Sequence, residues 1–246
     1  MNDKKEAEKT YNVIASKYHN LRMKEKDFNN LVEQPAIFSL LGGIKNKKIL
    51  DAGCGSGIYS KILAKKGAKV FGLEISGKML EIAKQYCKGL GINFVKGSID
   101  KIPCPDNSFD IVVASLVVHY LKNPEKAFKE FKRVLKKNGL LVFSTNHPLF
   151  WSYKNSQIKN GKTEFVIQDY FKKGRFYWGR HGIDTKIPSY VISLERLFDI
   201  LAKNKFFVEK FEEPFLSFKK NKEIKRTRIK YLDFPIFIVL KCRSLA

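Results

Sequence analysis

The segment from residue 49 to residue 57 constrains the fold more than any other part of the chain. It reads Ile-Leu-Asp-Ala-Gly-Cys-Gly-Ser-Gly, an apolar run that ends in Asp51 and continues into glycines at alternate positions. Glycine tolerates positive φ angles and lets a ligand approach the backbone, and a helix that begins after such a turn offers unpaired N–H groups. The segment therefore predicts a buried strand, a tight turn and a helix, with a nucleotide-like ligand at the end of the strand.

The spacing of the glycines narrows the class of ligand. A dinucleotide-binding fingerprint needs a glycine at position 58, which is Ile58 here, and a phosphate-binding P-loop needs a Lys-Ser or Lys-Thr pair that this turn does not carry. A second apolar run, 69–74, ends in Glu74, where a carboxylate can accept hydrogen bonds from the two ribose hydroxyls of a nucleoside. The turn and the acid together indicate a nucleoside-binding site of another kind.

Apolar runs and helical patterns alternate across residues 45 to 147. Further strands are predicted at 93–97, 111–120 and 140–145, and helices are predicted to begin at 58, 77 and 125. Such an alternation predicts a parallel sheet whose strands are joined by right-handed crossovers.

Two motifs resemble a known family. The pattern Asp-x-Gly-x-Gly-x-Gly at 51–57 resembles motif I of the class I S-adenosylmethionine (SAM)-dependent methyltransferases. The segment 97–110 is similar to a phrase of their small-molecule branch, which includes ubiquinone and menaquinone biosynthesis-like enzymes, although Ser98 replaces the usual acid. The resemblance covers about residues 45–147 and implies SAM as the cofactor. It also implies an α/β, Rossmann-like, seven-stranded and mostly parallel sheet with helices on both faces and an antiparallel seventh strand.

The resemblance assigns roles around SAM to individual residues. Asp51 and Gly53 are expected to face the methionine end, Gly55 to underlie the nucleoside, and Glu74 to hold the ribose. In many relatives counterparts of the segment 11–18 lie over the cofactor, so Tyr18 and Arg22 are expected to approach its carboxylate. The expected cofactor contacts are Asp51, Ala52, Gly53, Cys54, Gly55, Gly57, Glu74, Ile75, Met79, Ser98, Ile99, Ser115, Leu116, Tyr18 and Arg22.

The rest of the chain is expected to hold the substrate. Residues 1–44 are interpreted as an N-terminal helical cap, 45–147 as the SAM-binding core, 148–190 as an inserted lid, and 191–246 as the remainder of the core. The insertion is rich in aromatic residues, which are suited to roof a pocket and exclude water, or to form a small core of their own. The expected substrate contacts are Tyr11, Trp151, Tyr170, Trp178 and His181.

Methyl transfer from a sulfonium is an in-line displacement that depends mainly on alignment and on a dry site. A hydroxyl acceptor of high pKa also benefits from a general base, which is most often a histidine. His147 follows the fifth strand and is the first candidate, and His119 after the fourth strand is the second. The alternative for each is a structural hydrogen bond.

Charge and composition bear on partners and compartment. The net charge of +23 comes mostly from lysines spread along the chain, which is more typical of a compositional bias than of a nucleic-acid-binding stripe. The four cysteines form no close pairs, and no apolar run is long enough to span a membrane, so a reducing, cytoplasmic location is expected. The first hypothesis is a methyltransferase for a small-molecule acceptor. An RNA or tRNA methyltransferase and a non-catalytic SAM-binding module stay open.

Overall fold

The computed structural model describes residues 3–24, 27–159, 162–171, 174–180, 183–215 and 234–245. Its helices are α1 (Asp3–Arg22), α2 (Gln34–Leu41), α3 (Ile58–Lys65), α4 (Gly77–Tyr86), α5 (Glu125–Val134), α6 (Pro148–Ser152) and α7 (Leu194–Lys203). Its strands are β1 (Lys48–Ala52), β2 (Lys69–Glu74), β3 (Asn93–Lys96), β4 (Phe109–Ala114), β5 (Leu135–Asn146), β6 (Tyr153–Lys159), β7 (Lys162–Ile167), β8 (Arg175–Arg180), β9 (Ile183–Tyr190), β10 (Phe206–Glu212) and β11 (Phe237–Ser244). A π-helical turn covers Asn29–Glu33, and a 3-10 turn covers Val118–Tyr120.

Seven of these strands form one sheet in the order β10, β11, β5, β4, β1, β2, β3. β11 runs antiparallel to both of its neighbours, and the other six strands share one direction. The chain winds outward from β1 to β3 and then returns to build the other half of the sheet from β4. A crevice forms where this winding reverses, at the ends of β1 and β4. The predicted Rossmann-like α/β fold with an antiparallel seventh strand is confirmed.

Alternate residues of the central strands enter two different apolar clusters. Leu50 of β1 belongs to the cluster that includes α5 and α7, whereas its neighbour Ile49 belongs to the cluster that includes α2 and α3. Because successive side chains of a strand point to opposite faces, the clusters occupy the two faces of the sheet. Both faces are therefore covered by helices, as parallel strands require.

The fourth strand is shorter than the sequence pattern predicts. An apolar run to residue 120 predicts a continuous strand, but β4 ends at Ala114. Leu116 has a positive φ of 48°, and its N–H donates a hydrogen bond to the Ser144 hydroxyl. The chain therefore turns out of the sheet, and Val118 packs in the core below it. An apolar run alone does not distinguish a strand from a buried turn.

The segment after β5 forms two short antiparallel hairpins outside the main sheet. β6 pairs with β7, and β8 pairs with β9. Ile187 of β9 is fully buried against Ile14 of α1, and Trp151 lies against Phe176. The insertion thus contacts the N-terminal helix, while its function as a lid and the predicted domain boundaries stay predictions.

All four cysteines are free thiols, and three of them are buried. Across the described ranges, no helix is both long enough and apolar enough to cross a membrane. The same ranges contain no group of three or more His, Cys, Asp or Glu side chains that could hold a metal ion.

Candidate cofactor site

A cavity opens at the carboxyl ends of β1, β2 and β4, beneath α1. Its empty volume is about 1020 Å³, including the part that is open to solvent. Parallel strands end at the same edge of a sheet, so residues from distant parts of the chain meet here. The expected site residues on its wall are Tyr11, Tyr18, Arg22, Asp51, Gly53, Cys54, Gly55, Glu74, Ile75, Met79, Ser98, Ile99, Ser115 and Leu116.

The glycine turn adopts backbone angles that other residues rarely take. Gly53 and Gly55 have φ angles of 78° and 54°. A Cβ atom on Gly53 would lie 2.5 Å from a methyl of Val117, whereas a Cβ atom on Gly55 would meet nothing within 4 Å. Gly53 is therefore required by packing, and Gly55 leaves open space in which a ligand can approach the backbone.

Glu74 ends β2 and is anchored by two backbone N–H groups. Its Oε2 accepts a hydrogen bond from Gly55 at 3.0 Å, and its Oε1 accepts one from Ser76 at 2.9 Å. Burial raises the pKa of Glu74, and these hydrogen bonds act against that rise. The carboxylate is held in one orientation, and its remaining lone pairs are available to ribose hydroxyls.

Asp51 lies next to the end of β1 and is 1% exposed. Its Oδ2 accepts a hydrogen bond from the Ser60 hydroxyl at 2.6 Å. Burial raises the pKa of Asp51 to about 7, the Ser60 hydrogen bond lowers it, and the charge of Glu74 raises it further. A cation bound nearby would favour the ionised form of this carboxyl group.

Position 98 is a serine where the family pattern has an acid, but the carboxylate of Asp100 lies next to its hydroxyl. The Ser98 hydroxyl donates to Oδ1 of Asp100 at 2.6 Å, and Nζ of Lys4 donates to Oδ2 at 2.8 Å. Burial raises the pKa of Asp100, but the hydrogen bonds from Lys4 and Ser98 outweigh it and lower the pKa overall. Since its proton is directed to Asp100, the Ser98 hydroxyl can offer only acceptor lone pairs to the cavity.

One face of α1 covers the cavity. Lys4, Ala7, Tyr11, Tyr18 and Arg22 all line the wall, and their spacing places them on the same side of a helix. These residues cover the cavity along most of the length of α1, so the helix shields one side of the cavity from solvent.

Hydroxyl and guanidinium groups of α1 are fixed by partners at the wall. The Tyr11 and Tyr120 hydroxyl oxygens are 2.6 Å apart, and burial followed by the nearby Tyr120 raises the pKa of Tyr11 well above its usual value. Arg22 donates to Oδ1 of Asp27 at 3.1 Å, and both side chains are nearly inaccessible to solvent. This end of the roof therefore presents a cation that is held in place.

Different groups on the wall suit different parts of SAM. The open backbone at Gly55 and the oriented carboxylate of Glu74 suit a ribose, and the acceptor lone pairs of Ser98 would suit an adenine amino group. Apolar side chains for the adenine ring stand beside them. Arg22 offers a positive charge to a carboxylate at the other end.

Comparisons with known proteins agree with this geometry. A methyltransferase domain model matches residues 50–143. An uncharacterized protein of Haemophilus influenzae is 30% identical over 212 residues, which cover 81% of this chain and 83% of that protein. The crystal structure of a SAM-dependent methyltransferase from Mesorhizobium loti superposes with a TM-score of 0.75 and 26% identity, covering 86% of this chain and 97% of that one.

The chain belongs to the class I SAM-dependent methyltransferases. Its cofactor is SAM. A ubiquinone biosynthesis O-methyltransferase of Actinobacillus pleuropneumoniae is 32% identical over 110 residues, 42% of this chain and 47% of that enzyme. The methyltransferase thus matches less than half of that enzyme's length.

Neither predicted catalytic histidine of this methyltransferase lines the described wall. His147 is 3% exposed: its Nδ1 accepts a hydrogen bond from the Leu149 N–H at 3.1 Å, and its Nε2 lies 2.9 Å from Glu213. Burial lowers the pKa of His147, and Glu213 acts against that shift. His119 is buried with Nδ1 3.3 Å from the Thr145 hydroxyl, and burial lowers its pKa to about 3. Their catalytic function stays a hypothesis.

Other expected residues also lie away from this wall. Ala52 is fully buried in the core, and Gly57 is the N-cap of α3, where a Cβ atom would lie 3.1 Å from the Cβ of Ala83. Trp151 packs on Phe150 and Phe176, and Tyr170 packs on Phe171. His181 lies outside the described residues, as does the side chain of Trp178. The structure thus brings most of the expected cofactor residues together but not the expected insertion residues.

The wall also contains residues that the sequence analysis did not propose. They are Lys4, Ala7, Asn29, Ser56, Ile58, Tyr59, Leu73, Gly97, Val117, Tyr120 and Leu121. The helical spacing of Lys4 and Ala7 with Tyr11 could have identified the first two, because it places them on one face of α1. For Tyr59 no local signal exists, since its position depends on how α3 packs.

Proposed function

We propose that this methyltransferase transfers the methyl group of SAM to a small, apolar or aromatic acceptor. The proposal depends on one observation, that Leu116 joins the wall of the cavity to an apolar cluster behind it. Leu116 lines the wall and packs in a cluster with Phe28, Phe150 and Phe237. These rings come from the N-terminal region, α6 and β11. A pocket with apolar walls and a few fixed polar groups is typical of small-molecule sites.

The residues of the chain contribute alignment and exclusion of water. SAM supplies an electrophilic methyl group on its sulfonium. In this proposal Glu74 holds the ribose and Arg22 the carboxylate of the methionine end, and these two contacts fix the direction of the methyl group relative to Leu116. In this proposal α1 covers the cofactor and limits the access of water to the reacting atoms.

The described wall carries no histidine, so the proposal does not depend on a histidine base. An acceptor that is ionised near neutral pH reacts without one. The ubiquinone enzyme among the relatives is an O-methyltransferase by name, which makes hydroxylated aromatic compounds the first acceptor class to examine. A cytoplasmic location stays part of the proposal.

The test is a screen for release of S-adenosylhomocysteine. The protein is incubated with SAM and a panel of hydroxylated aromatic and aliphatic compounds, or with total RNA. We expect turnover with a compound of the panel, and none in a Glu74→Ala variant. Turnover with RNA alone, and RNA affinity that falls steeply with salt, would favour the RNA hypothesis. Binding of SAM without any turnover would favour the non-catalytic module.

A further inference from the structure

A buried carboxylate lies directly behind the Arg22 end of the cavity. Glu33, in the π-helical turn before α2, has 0% of its surface exposed. Its Oε1 accepts hydrogen bonds from the Ser115 hydroxyl at 2.8 Å and from the Ser144 hydroxyl at 2.5 Å. Its Oε2 accepts a short hydrogen bond from the Tyr59 hydroxyl. π-Helical turns often occur at functional sites.

The partners of Glu33 form part of the cavity wall. Tyr59 of α3 and Ser115 after β4 both line it. Ser144 of β5 accepts the N–H of Leu116, a third wall residue, and so supports the positive φ angle there. One carboxylate therefore links the N-terminal region to two separate parts of the wall, α3 and the segment after β4.

The direction of these hydrogen bonds determines what the wall offers to a ligand. A hydroxyl group can donate only one hydrogen bond, and the hydroxyls of Tyr59 and Ser115 donate theirs to Glu33. Burial followed by the charge of Glu33 raises the pKa of Tyr59 well above its usual value, so the phenol keeps this proton. Toward the cavity, both oxygens can only accept hydrogen bonds.

Arg22 adds the opposite charge at the same end. Burial raises the pKa of Glu33, and the hydrogen bonds from Ser144 and Tyr59 and the charge of Arg22 act against that rise. Arg22 also lines the cavity, and its charge acts to lower the pKa of Tyr59. A guanidinium next to acceptor-only oxygens is complementary to a group that carries both a carboxylate and an ammonium. The methionine moiety of SAM is such a zwitterion.

We propose that Glu33 is a positioning residue that orients the Tyr59 and Ser115 hydroxyls as acceptors for the ammonium group of the methionine moiety. The inference rests on the cofactor orientation used in the proposed function, with the ribose at Glu74 and the methionine end at Ser115. Glu33 acts through the two hydroxyls and does not touch SAM itself.

The test compares two ligands by titration calorimetry. S-adenosylhomocysteine carries the ammonium and the carboxylate, whereas 5′-methylthioadenosine lacks both. In Glu33→Gln the amide N–H₂ must donate, so a hydroxyl has to turn its proton toward the cavity. We expect the Kd of S-adenosylhomocysteine to rise about tenfold and that of 5′-methylthioadenosine to change less than about twofold.

Two further variants make the test independent of folding defects. Tyr59→Phe keeps the ring and the carboxylate but removes one acceptor, and we expect the same selective loss, smaller in size. Glu209→Gln makes the same chemical change on β10, where Glu209 pairs with Arg243 and Lys241, and should alter neither affinity.

Equal losses for both ligands in Glu33→Gln would overturn the proposal, because they would indicate a purely structural role. Unchanged affinity for both would overturn it as well. If Glu33→Gln does not fold, equal losses of affinity for the two ligands in Tyr59→Phe would overturn the proposal. These measurements need no methyl acceptor, so they fail or succeed separately from the acceptor screen.

Discussion

The Glu74 carboxylate accepts a hydrogen bond from the Gly55 N–H at 3.0 Å, which joins the acid after β2 to the glycine turn after β1. The two strands are parallel neighbours, with Asp51 opposite Gly72. The acid that is expected to bind the ribose therefore also shapes the turn that lies under it. Loss of this hydrogen bond should therefore affect both the binding of the ribose and the shape of the glycine turn.

We expect Glu74→Gln to weaken SAM binding about tenfold or more, because hydrogen bonds to a charged acceptor are worth about 1.5–3 kcal/mol. The measurement is the rise in melting temperature with SAM, which at about 100 times Kd corresponds to roughly 2.7 kcal/mol for the unchanged protein. An undiminished rise in Glu74→Gln would show that the ribose is held elsewhere.

Gly53→Ala and Gly55→Ala should separate packing from ligand binding. Both positions have positive φ, which costs a non-glycine residue about 1–2 kcal/mol. Only the new Cβ at position 53 also collides with Val117, which should add about 1–3 kcal/mol of destabilisation. Chemical denaturation should rank Gly53→Ala as the less stable variant, with partial recovery in Gly53→Ala/Val117→Ala. For Gly55→Ala, the loss in the free energy of SAM binding should exceed the loss in the free energy of unfolding.

Ser98→Ala tests the acceptor for the adenine amino group. We expect a loss of about fivefold in affinity for S-adenosylhomocysteine, since one hydrogen bond is worth about 1 kcal/mol. S-inosylhomocysteine lacks the amino group, and its affinity should stay the same. A parallel loss for both compounds would place the adenine amino group away from Ser98.

Asp51 should make the stability of the ligand-free protein depend on pH. Its pKa is about 7 in the folded chain against an ordinary 3.8, so the folded state binds more protons between these values. The free energy of unfolding should therefore fall as pH rises from about 4 to 7, by roughly 4 kcal/mol at most, and level off above. Urea titrations at a series of pH values should show this fall in the free energy of unfolding for the unchanged protein but not for Asp51→Asn. Parallel pH profiles would contradict the prediction.

His147→Gln examines the first catalytic candidate. From the contacts with Leu149 and Glu213, we expect the free energy of unfolding to fall by about 1–3 kcal/mol, with SAM affinity unchanged. Calorimetry and denaturation check both values. A slower methyl transfer at unchanged stability and affinity would instead support the predicted catalytic role.

Much of the cofactor site could be predicted from the sequence because its parts are local. The φ angles of the glycine turn depend on a few neighbouring residues, and Glu74 follows from the end of one apolar run. The prediction for the two histidines rests on their position after strands, and that position does not specify the direction of a side chain. His147 turns toward Glu213 and Leu149, away from the described cavity wall.

The strand, the turn, the helix and the acid that identify a SAM site could be predicted from the sequence, since the conformation of these segments depends on neighbouring residues. Which distant groups complete the site depends on tertiary packing. Ser98 is supported by Asp100 and Lys4, 96 positions apart, and Glu33 reaches Ser115 and Ser144 across 82 and 111 positions. Such contacts depend on how helices pack on the sheet, and no local sequence pattern predicts that packing.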